Sequence, residues 1–237
     1  MIVALAGSGE FLPGMAAIDR ELLALAPGGR VAVLPTAAGL EDPAAWARMG
    51  IEHFTRLGAR PAHVPLHRRA DAGDPSVLAA LAASDLFYLS GGTPDHLLDS
   101  LAGTPAWAVI TARVEEGAVI AGCSAGTTAL GGWSVSIAAE PWGWREGLAL
   151  LPGWGLIPHY DAAPPRPTGL SEVLAGAPPL DCLAGIDEET VLLWDGRAWG
   201  VRGRGRVVSI PTGQAFRAGT RKPDFPAPLG ARSAAAR

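Results

Sequence analysis

Cysteine is scarce in this sequence: Cys123 and Cys182 are the only two among 237 residues. Two cysteines are too few for a disulfide scaffold or for a zinc site built from cysteine. The sequence also has no run of 18 apolar residues, which excludes a membrane-spanning helix. Its first six residues contain no basic residue, and Gly7 interrupts the apolar run, which is not the pattern of a signal peptide. We therefore expect a cytoplasmic protein with no membrane partner.

Charged residues make up only 18% of the chain, and the net charge is −4. A protein whose main partner is nucleic acid usually carries a basic face, so this charge argues against such a partner. Apolar residues reach 49%, which excludes a disordered chain and supplies a large core. The length fits one large domain or two small ones. We expect residues 1–218 to form a single domain, with a loosely packed tail over 219–237.

Short apolar runs alternate with longer segments that have helix boundaries. The predicted strands are 2–6, 31–34, 63–66, 86–90, 118–121, 156–158, 182–186, 190–194, 198–201 and 207–210. The predicted helices are 13–26, 42–58, 74–83, one that begins at Pro94, 105–116 and 168–176. This pattern predicts an α/β fold with a mostly parallel sheet, helices on both faces and an antiparallel C-terminal extension.

The most informative stretch is Gly122-Cys123-Ser124-Ala125-Gly126, which follows an apolar strand and precedes a small-residue helix. This is the G-x-S-x-G pattern of a nucleophile elbow in the strand–turn–helix context that it requires. A tight turn projects the serine hydroxyl away from the backbone and aims the next N–H group at an oxyanion. A plain strand-to-helix turn is the alternative, because the pattern also occurs by chance.

A second glycine-rich turn, Gly91-Gly92-Thr93-Pro94, lies at the end of a predicted strand and at the start of a helix. Ligands and oxyanions bind at such positions in open α/β sheets. The candidate oxyanion-hole donors are therefore Gly91, Gly92 and Ala125. The alternative is an ordinary connection between a strand and a helix.

A serine nucleophile needs a base, and His159 is the candidate among five histidines because it ends a strand downstream of the elbow. Two carboxylates could orient it. Asp161 is two residues further on, and Glu188 follows the strand over 182–186. The spacing does not choose between them. No paired-histidine spacing indicates a metal site.

The candidate nucleophile, base and orienting acid occur along the chain in the order serine, histidine, acid. The α/β-hydrolases have the order serine, acid, histidine. The observed order is that of the class I glutamine-amidotransferase-like fold.

Residues 132–153, a stretch rich in tryptophan, lie between the serine and the histidine. It is either a lid or pocket wall or a satellite hydrophobic cluster.

Four segments together resemble a known family: Leu89-Ser90-Gly91-Gly92, Gly122-Cys123-Ser124-Ala125-Gly126, Ile157-Pro158-His159-Tyr160 and Gly185-Ile186-Asp187-Glu188-Glu189-Thr190. They are similar to the serine peptidases related to dipeptidase E and cyanophycinase, peptidase family S51. The resemblance implies a flavodoxin-like three-layer sandwich of the glutamine-amidotransferase type. It also implies a catalytic triad of Ser124, His159 and Glu188 that needs no cofactor.

The resemblance further implies hydrolysis of a peptide bond next to aspartate, with a small peptide as the partner of a monomer or homodimer. Such a preference requires a cation that faces the aspartate carboxylate. The candidates are Arg166, in a proline-rich loop, and Arg145, in the tryptophan-rich stretch. Thr93, Tyr160 and Asp161 are further substrate-binding candidates. The alternative function is a non-peptidase member of the fold that binds or hydrolyses a small acidic metabolite, an amide or ester.

Overall fold

The computed structural model describes residues 1–162 and 170–228, which contain two β-sheets and the helices that pack on them. In chain order the strands are β1 Ile2–Ala6, β2 Arg30–Leu34, β3 Arg60–His63, β4 Leu86–Leu89, β5 Val119–Cys123, β6 Gly131–Ser136, β7 Gly143–Glu146, β8 Leu151–Ile157, β9 Cys182–Ile186, β10 Thr190–Trp194, β11 Trp199–Gly203, β12 Arg206–Ser209 and β13 Gln214–Arg217. The helices are α1 Ala16–Leu25, α2 Pro43–Arg56, α3 Pro75–Ala82, α4 Pro94–Leu101, α5 Pro105–Glu115, α6 Ala125–Ala129 and α7 Leu170–Ala175.

The main sheet has seven strands in the order β11-β10-β1-β5-β4-β2-β3. The five strands from β1 to β3 in that order are parallel, whereas β10 and β11 extend the sheet in antiparallel fashion. Successive residues of β1 enter opposite cores: Val3 and Leu5 pack on one face, Ala4 and Ala6 on the other. Because both of its faces are buried, the inner part of the sheet, formed by β1, β5 and β4, consists of continuous apolar runs, as the sequence predicted.

Helices cover both faces of the main sheet. The buried residues of α1 and α2, among them Leu22 and Phe54, belong to one core. Those of α3 and α5, among them Leu81 and Ile110, belong to the other. Proline at the first position marks the start of α2, α3, α4 and α5. The layered α/β architecture follows from this packing. No helix of the described residues is both long and apolar enough to cross a membrane.

The second sheet has six strands in the order β13-β12-β9-β8-β6-β7. β8 pairs in parallel with β6 and β9, and the remaining neighbours are antiparallel. It is larger than the predicted C-terminal extension, because residues 132–153 form strands rather than only a connection. Glycine and tryptophan interrupt the regular alternation there, so the sequence pattern hid these strands.

Part of the predicted tail packs closely instead of loosely. Phe225 is buried against Trp154 and Phe216, and the indole N–H of Trp199 donates a hydrogen bond of 2.8 Å to the Pro226 carbonyl. This part of the tail packs against the rest of the chain, contrary to the expectation, because its aromatic side chain buries a large apolar surface there. Residues 229–237 lie outside the described part of the chain.

Candidate active site

The turn that connects β5 to α6 holds Ser124 in a strained conformation, with φ 51° and ψ −111°. The flanking glycines are required by close packing. A Cβ on Gly122 would lie 2.6 Å from the backbone of Gly126, and a Cβ on Gly126 would lie 2.2 Å from the Leu89 carbonyl oxygen. The chain therefore turns sharply enough to project the Ser124 hydroxyl beyond the end of the main sheet.

His159 approaches Ser124 from the second sheet, just beyond the end of β8. Its Nε2 lies 2.8 Å from Ser124 Oγ, and its Nδ1 lies 2.9 Å from Glu188 Oε1. Since a carboxylate accepts hydrogen bonds, Nδ1 carries the proton and Nε2 accepts from the serine hydroxyl. The backbone at His159 has a positive φ of 52°, a conformation that is uncommon for residues other than glycine.

Glu188 follows β9, which pairs in parallel with β8, so both side chains emerge at the same edge of the second sheet. Asp161 contacts this acid through its backbone: the Glu188 N–H donates a hydrogen bond of 2.7 Å to Asp161 Oδ1. The two acids left open by the sequence therefore occupy different places. Glu188 lies against the imidazole, and Asp161 holds the loop that carries Glu188.

The two glycines after β4 differ in their hydrogen bonds. The Gly91 N–H donates a bond of 2.7 Å to Glu10 Oε1, whereas Gly92 and Ala125 line the cavity beside Ser124. Gly92 has a φ of 135°, and a Cβ there would lie 2.5 Å from the Ala37 backbone. This geometry favours Gly92 and Ala125, rather than Gly91, as oxyanion donors.

Cys123 is fully buried, and its thiol donates a hydrogen bond of 2.9 Å to Glu10 Oε2. Burial, reinforced by the charge of Glu10, raises the pKa of this thiol well above its ordinary value. Burial and the raised pKa both favour a protonated thiol with a structural role. Glu10, in the turn after β1, is a site residue that sequence reasoning missed.

A cavity of about 340 Å³ opens beside Ser124. Its lining residues come from the turns after β4 and β5, from α4, α6 and α7, and from the second sheet and its loops. They are Gly92, Pro94, Ser124, Ala125, Thr128, Val135, Ile137, Trp142, Ile157, Pro158, His159, Ala162 and Val173. Trp142 places part of the tryptophan-rich stretch in the wall. A pocket of this size is at the small end of the range for ligand sites.

The substrate-binding candidates lie in different environments. Arg145 forms ion pairs of 3.2 Å with Asp95 and 2.7 Å with Asp99. The ring of Tyr160 lies over Gly185, where a Cβ would be 2.4 Å from the ring. The Thr93 N–H donates to the Ala37 carbonyl at 2.8 Å, at the start of α4. Arg166 lies outside the described residues.

The arrangement can activate a hydroxyl nucleophile. Ser124 can lose its proton to His159 as it attacks, and Glu188 can stabilise the imidazolium that results. Within residues 1–162 and 170–228, no group of three or more His, Cys, Asp or Glu side chains is placed to hold a metal ion.

Comparisons with known proteins place this chain among characterised folds and families. The model of peptidase family S51 matches residues 3–200. A crystal structure of a peptidase from an acI-B1 Actinobacterium is 30% identical and has a TM-score of 0.84; the match covers 93% of this chain and 95% of that one. A structure from Listeria monocytogenes EGD-e, described as a "Putative Peptidase E Protein", is 18% identical with a TM-score of 0.65 and shows the shared fold. That match covers 85% of this chain and 98% of the other. No curated protein matches the chain.

Proposed function

Because the chain belongs to peptidase family S51 and is a serine hydrolase, we propose that it cleaves peptide bonds through Ser124, His159 and Glu188. The observation that supports this proposal is one continuous hydrogen-bonded series. It runs from Ser124 Oγ through the two ring nitrogens of His159 to Glu188 Oε1, with distances of 2.8 and 2.9 Å.

In the proposed reaction Ser124 Oγ attacks the carbonyl carbon of the peptide, and its proton passes to His159 Nε2. The Gly92 and Ala125 N–H groups donate to the oxyanion of the tetrahedral intermediate. His159 then protonates the amine as the C–N bond breaks, leaving an acyl-enzyme. Water, deprotonated by the same imidazole, attacks the ester carbonyl carbon. As the bond to Ser124 Oγ breaks, the imidazolium returns the proton to Oγ and the acid is released. Glu188 keeps Nδ1 protonated and stabilises the imidazolium in both halves of the reaction.

The resemblance also implies a preference for a peptide bond next to aspartate. This preference is a further requirement beyond the peptidase chemistry. It needs a cation near Ser124. Arg145 is already paired with Asp95 and Asp99, and Arg166 lies outside the described residues. The proposed function is therefore the peptidase chemistry itself.

A panel of dipeptides, incubated with the unmodified protein and with Ser124→Ala, tests the proposal. We expect release of free amino acids only by the unmodified protein, because loss of the nucleophile of such a unit costs on the order of 10⁶-fold in kcat. Hydrolysis that persists in Ser124→Ala at more than a trace would contradict it.

A fluorophosphonate probe helps to distinguish the peptidase from the alternative. In the alternative, the chain is a member of the fold that binds a small acidic metabolite and has no peptidase activity. The probe labels only an activated serine hydroxyl. Labelling of Ser124 together with peptide hydrolysis supports the peptidase; labelling with hydrolysis only of amides or esters of small acids supports the alternative substrate class.

A further inference from the structure

The cavity beside Ser124 presents apolar side chains from four separate parts of the chain. β6 contributes Val135, β8 contributes Ile157 and α7 contributes Val173. The loop between β6 and β7 contributes Ile137 and Trp142. Three of these, Val135, Ile157 and Val173, are buried and pack together in one hydrophobic cluster. The wall is therefore a continuous apolar surface rather than a few scattered contacts.

The polar groups around this cavity are already engaged. Among its described lining residues, His159 is the single ionisable side chain, and it contacts Ser124 and Glu188. The hydroxyl of Thr128 is turned towards β6, where it accepts a hydrogen bond of 3.1 Å from the Val135 N–H. The described lining residues thus offer an aspartate carboxylate no ionisable partner other than His159.

Hydrogen bonds from neighbouring residues hold the wall in place. Asp95, at the start of α4, accepts hydrogen bonds from the Ser136 hydroxyl at 2.7 Å and from the Ile137 N–H at 2.8 Å. The Trp144 indole N–H donates to the Val173 carbonyl at 2.7 Å and fixes α7 against β7. The apolar surface is thus formed before a ligand arrives, which reduces the ordering cost of binding.

From these contacts we propose that the cavity accepts an apolar side chain on the acyl side of the scissile bond, of the size of leucine or phenylalanine. The proposal rests on the proposed function. It places the side chain on the acyl side because Gly92 and Ala125, the expected donors to the carbonyl oxygen, line the same cavity. The substituent on that carbonyl carbon therefore enters the same cavity.

Two alkylboronic acids of equal length test this proposal, one ending in an isopropyl group and the other in a carboxylate. Both form tetrahedral adducts with an activated serine and compete with fluorophosphonate labelling of Ser124. We expect the isopropyl compound to protect at a concentration about 100-fold lower, the order of magnitude that apolar pockets achieve between side chains. Leucine and aspartate p-nitroanilides, which share one leaving group, should differ in kcat/KM in the same direction.

Equal or better protection by the carboxylate compound would overturn the pocket proposal and leave the proposed function intact. Absence of Ser124 labelling in the unmodified protein would instead overturn the proposed function, and with it this inference. The two failures are therefore distinguishable in one experiment.

Variants of the wall provide a second readout. Trp142→Ala should reduce the advantage of the isopropyl compound by about tenfold, whereas Trp133→Ala, outside the cavity lining, should leave the ratio unchanged. Ile137→Arg adds a cation at a position that is 37% exposed and should improve protection by the carboxylate compound. Leu40→Arg, which adds the same charge at a position that is 71% exposed and outside this lining, is the control. An unchanged ratio in Ile137→Arg would contradict the proposal.

Glu10 carries a second and independent inference. It is buried, and its two carboxyl oxygens join the two segments that carry the expected oxyanion donors. Oε1 accepts from the Gly91 N–H at 2.7 Å, and Oε2 accepts from the Cys123 thiol at 2.9 Å. Gly91 precedes Gly92, and Cys123 precedes Ser124 in the turn that presents the Ala125 N–H.

The fit around this carboxyl group is close. A Cβ on Gly91 would lie 2.7 Å from Glu10 Oε1 and 3.3 Å from the Cβ of Ser124. The Gly91 backbone therefore passes between Glu10 and the serine without room for a side chain. We infer that Glu10 is a positioning residue that fixes the Gly92 and Ala125 N–H groups relative to one another.

Glu10→Met and Glu10→Gln separate this role from a purely structural one. The glutamine amide oxygen can still accept from Gly91, whereas methionine leaves that buried N–H unpaired. We expect Glu10→Met to lose on the order of 10²-fold in kcat with KM nearly unchanged, and affinity for the boronic acid to fall in parallel. Glu10→Gln should stay within about tenfold of the unmodified protein in kcat.

A lower melting temperature of Glu10→Met with unchanged kcat would show that the residue only stabilises the fold. If Glu10→Met does not fold, Cys123→Ala and Cys123→Ser give the same distinction. Serine keeps a donor to Oε2 and alanine removes it, so alanine alone should lower kcat. Equal kcat values in these two variants would overturn the inference.

Discussion

Two histidine–carboxylate pairs in this molecule have nearly the same geometry and very different surroundings. His53 Nε2 lies 2.7 Å from Asp19 Oδ2, and His159 Nδ1 lies 2.9 Å from Glu188 Oε1. The side chains of the first pair are 4% and 1% exposed, whereas those of the second are 42% and 39% exposed. A short distance between a histidine and an acid therefore does not by itself identify a catalytic pair.

The surroundings of the buried pair are structural. Asp19 and His53 join α1 to α2, and the His53 ring contacts Phe11 and Phe54 at centroid distances of 5.9 and 5.2 Å. Neither residue lines the cavity beside Ser124. The exposed pair differs because the second nitrogen of His159 reaches the serine hydroxyl. What separates the two pairs is the third partner and its access to substrate.

The largest expected difference between the pairs comes from removing each histidine. His159→Ala should lower kcat on the order of 10⁶-fold, as loss of the base does in comparable serine enzymes, with a small change in stability because the side chain is half exposed. His53→Ala should leave kcat nearly unchanged and lower the free energy of unfolding by about 3–5 kcal/mol, since it leaves a buried acid unpaired. Peptide hydrolysis and urea unfolding measure the two quantities; the opposite pattern would reverse our assignment of the pairs.

Replacing each acid by its amide should give a smaller contrast. Glu188→Gln is expected to reduce kcat by about 10⁴-fold, because the amide no longer selects the productive tautomer or stabilises imidazolium. Asp19→Asn should change stability but not kcat. Rates measured with saturating substrate check this, and a Glu188→Gln variant with nearly full activity would remove Glu188 from the triad.

Asp161 provides a finer test, because its carboxylate accepts a hydrogen bond from the Glu188 backbone N–H. The oxygen of asparagine can accept the same hydrogen bond, so Asp161→Asn should reduce kcat by less than about tenfold. A loss as large as that of Glu188→Gln would show that Asp161, rather than Glu188, orients the imidazole.

The smallest expected effect is on the pH dependence of stability. Burial raises the pKa of Asp19 above its ordinary value of 3.8, although His53 opposes the shift. The folded state thus holds this proton more tightly than the unfolded chain does. The stabilisation is complete below pH 3.8 and is lost as the pH rises through the raised pKa. In Asp19→Asn the free energy of unfolding should not show this decline. Urea unfolding at a series of pH values measures it, and a decline in Asp19→Asn parallel to that of the unmodified protein would contradict the prediction.

The sequence predicted the main sheet well because its strands are buried on both faces. Continuous apolar runs such as Ile2–Ala6 and Val119–Cys123 need no partner to be recognised. The third strand was predicted at 63–66 but lies at Arg60–His63. It is an edge strand with a half-exposed pattern. The apolar residues that follow it, Val64 and Leu66, are buried, and the strand was therefore predicted there.

The site was predictable where chemistry leaves a local pattern. The turn around Ser124 and the position of His159 after a strand are local signals. The choice between Glu188 and Asp161 was open from spacing, since both follow strand ends at the same edge. Glu10 left no signal, because its contacts to Gly91 and Cys123 join residues 81 and 113 positions apart. Such contacts are visible only once the fold brings the segments together.

The rate of fluorophosphonate labelling, with the modified residue located by mass spectrometry, tests the central claim most directly. It should be measured in the unmodified protein, in His159→Ala and in His53→Ala. We predict an adduct on Ser124 that forms rapidly in the unmodified protein and in His53→Ala, and at least about 10³-fold more slowly in His159→Ala. An adduct on Cys123, or equal rates in the two histidine variants, would contradict the account.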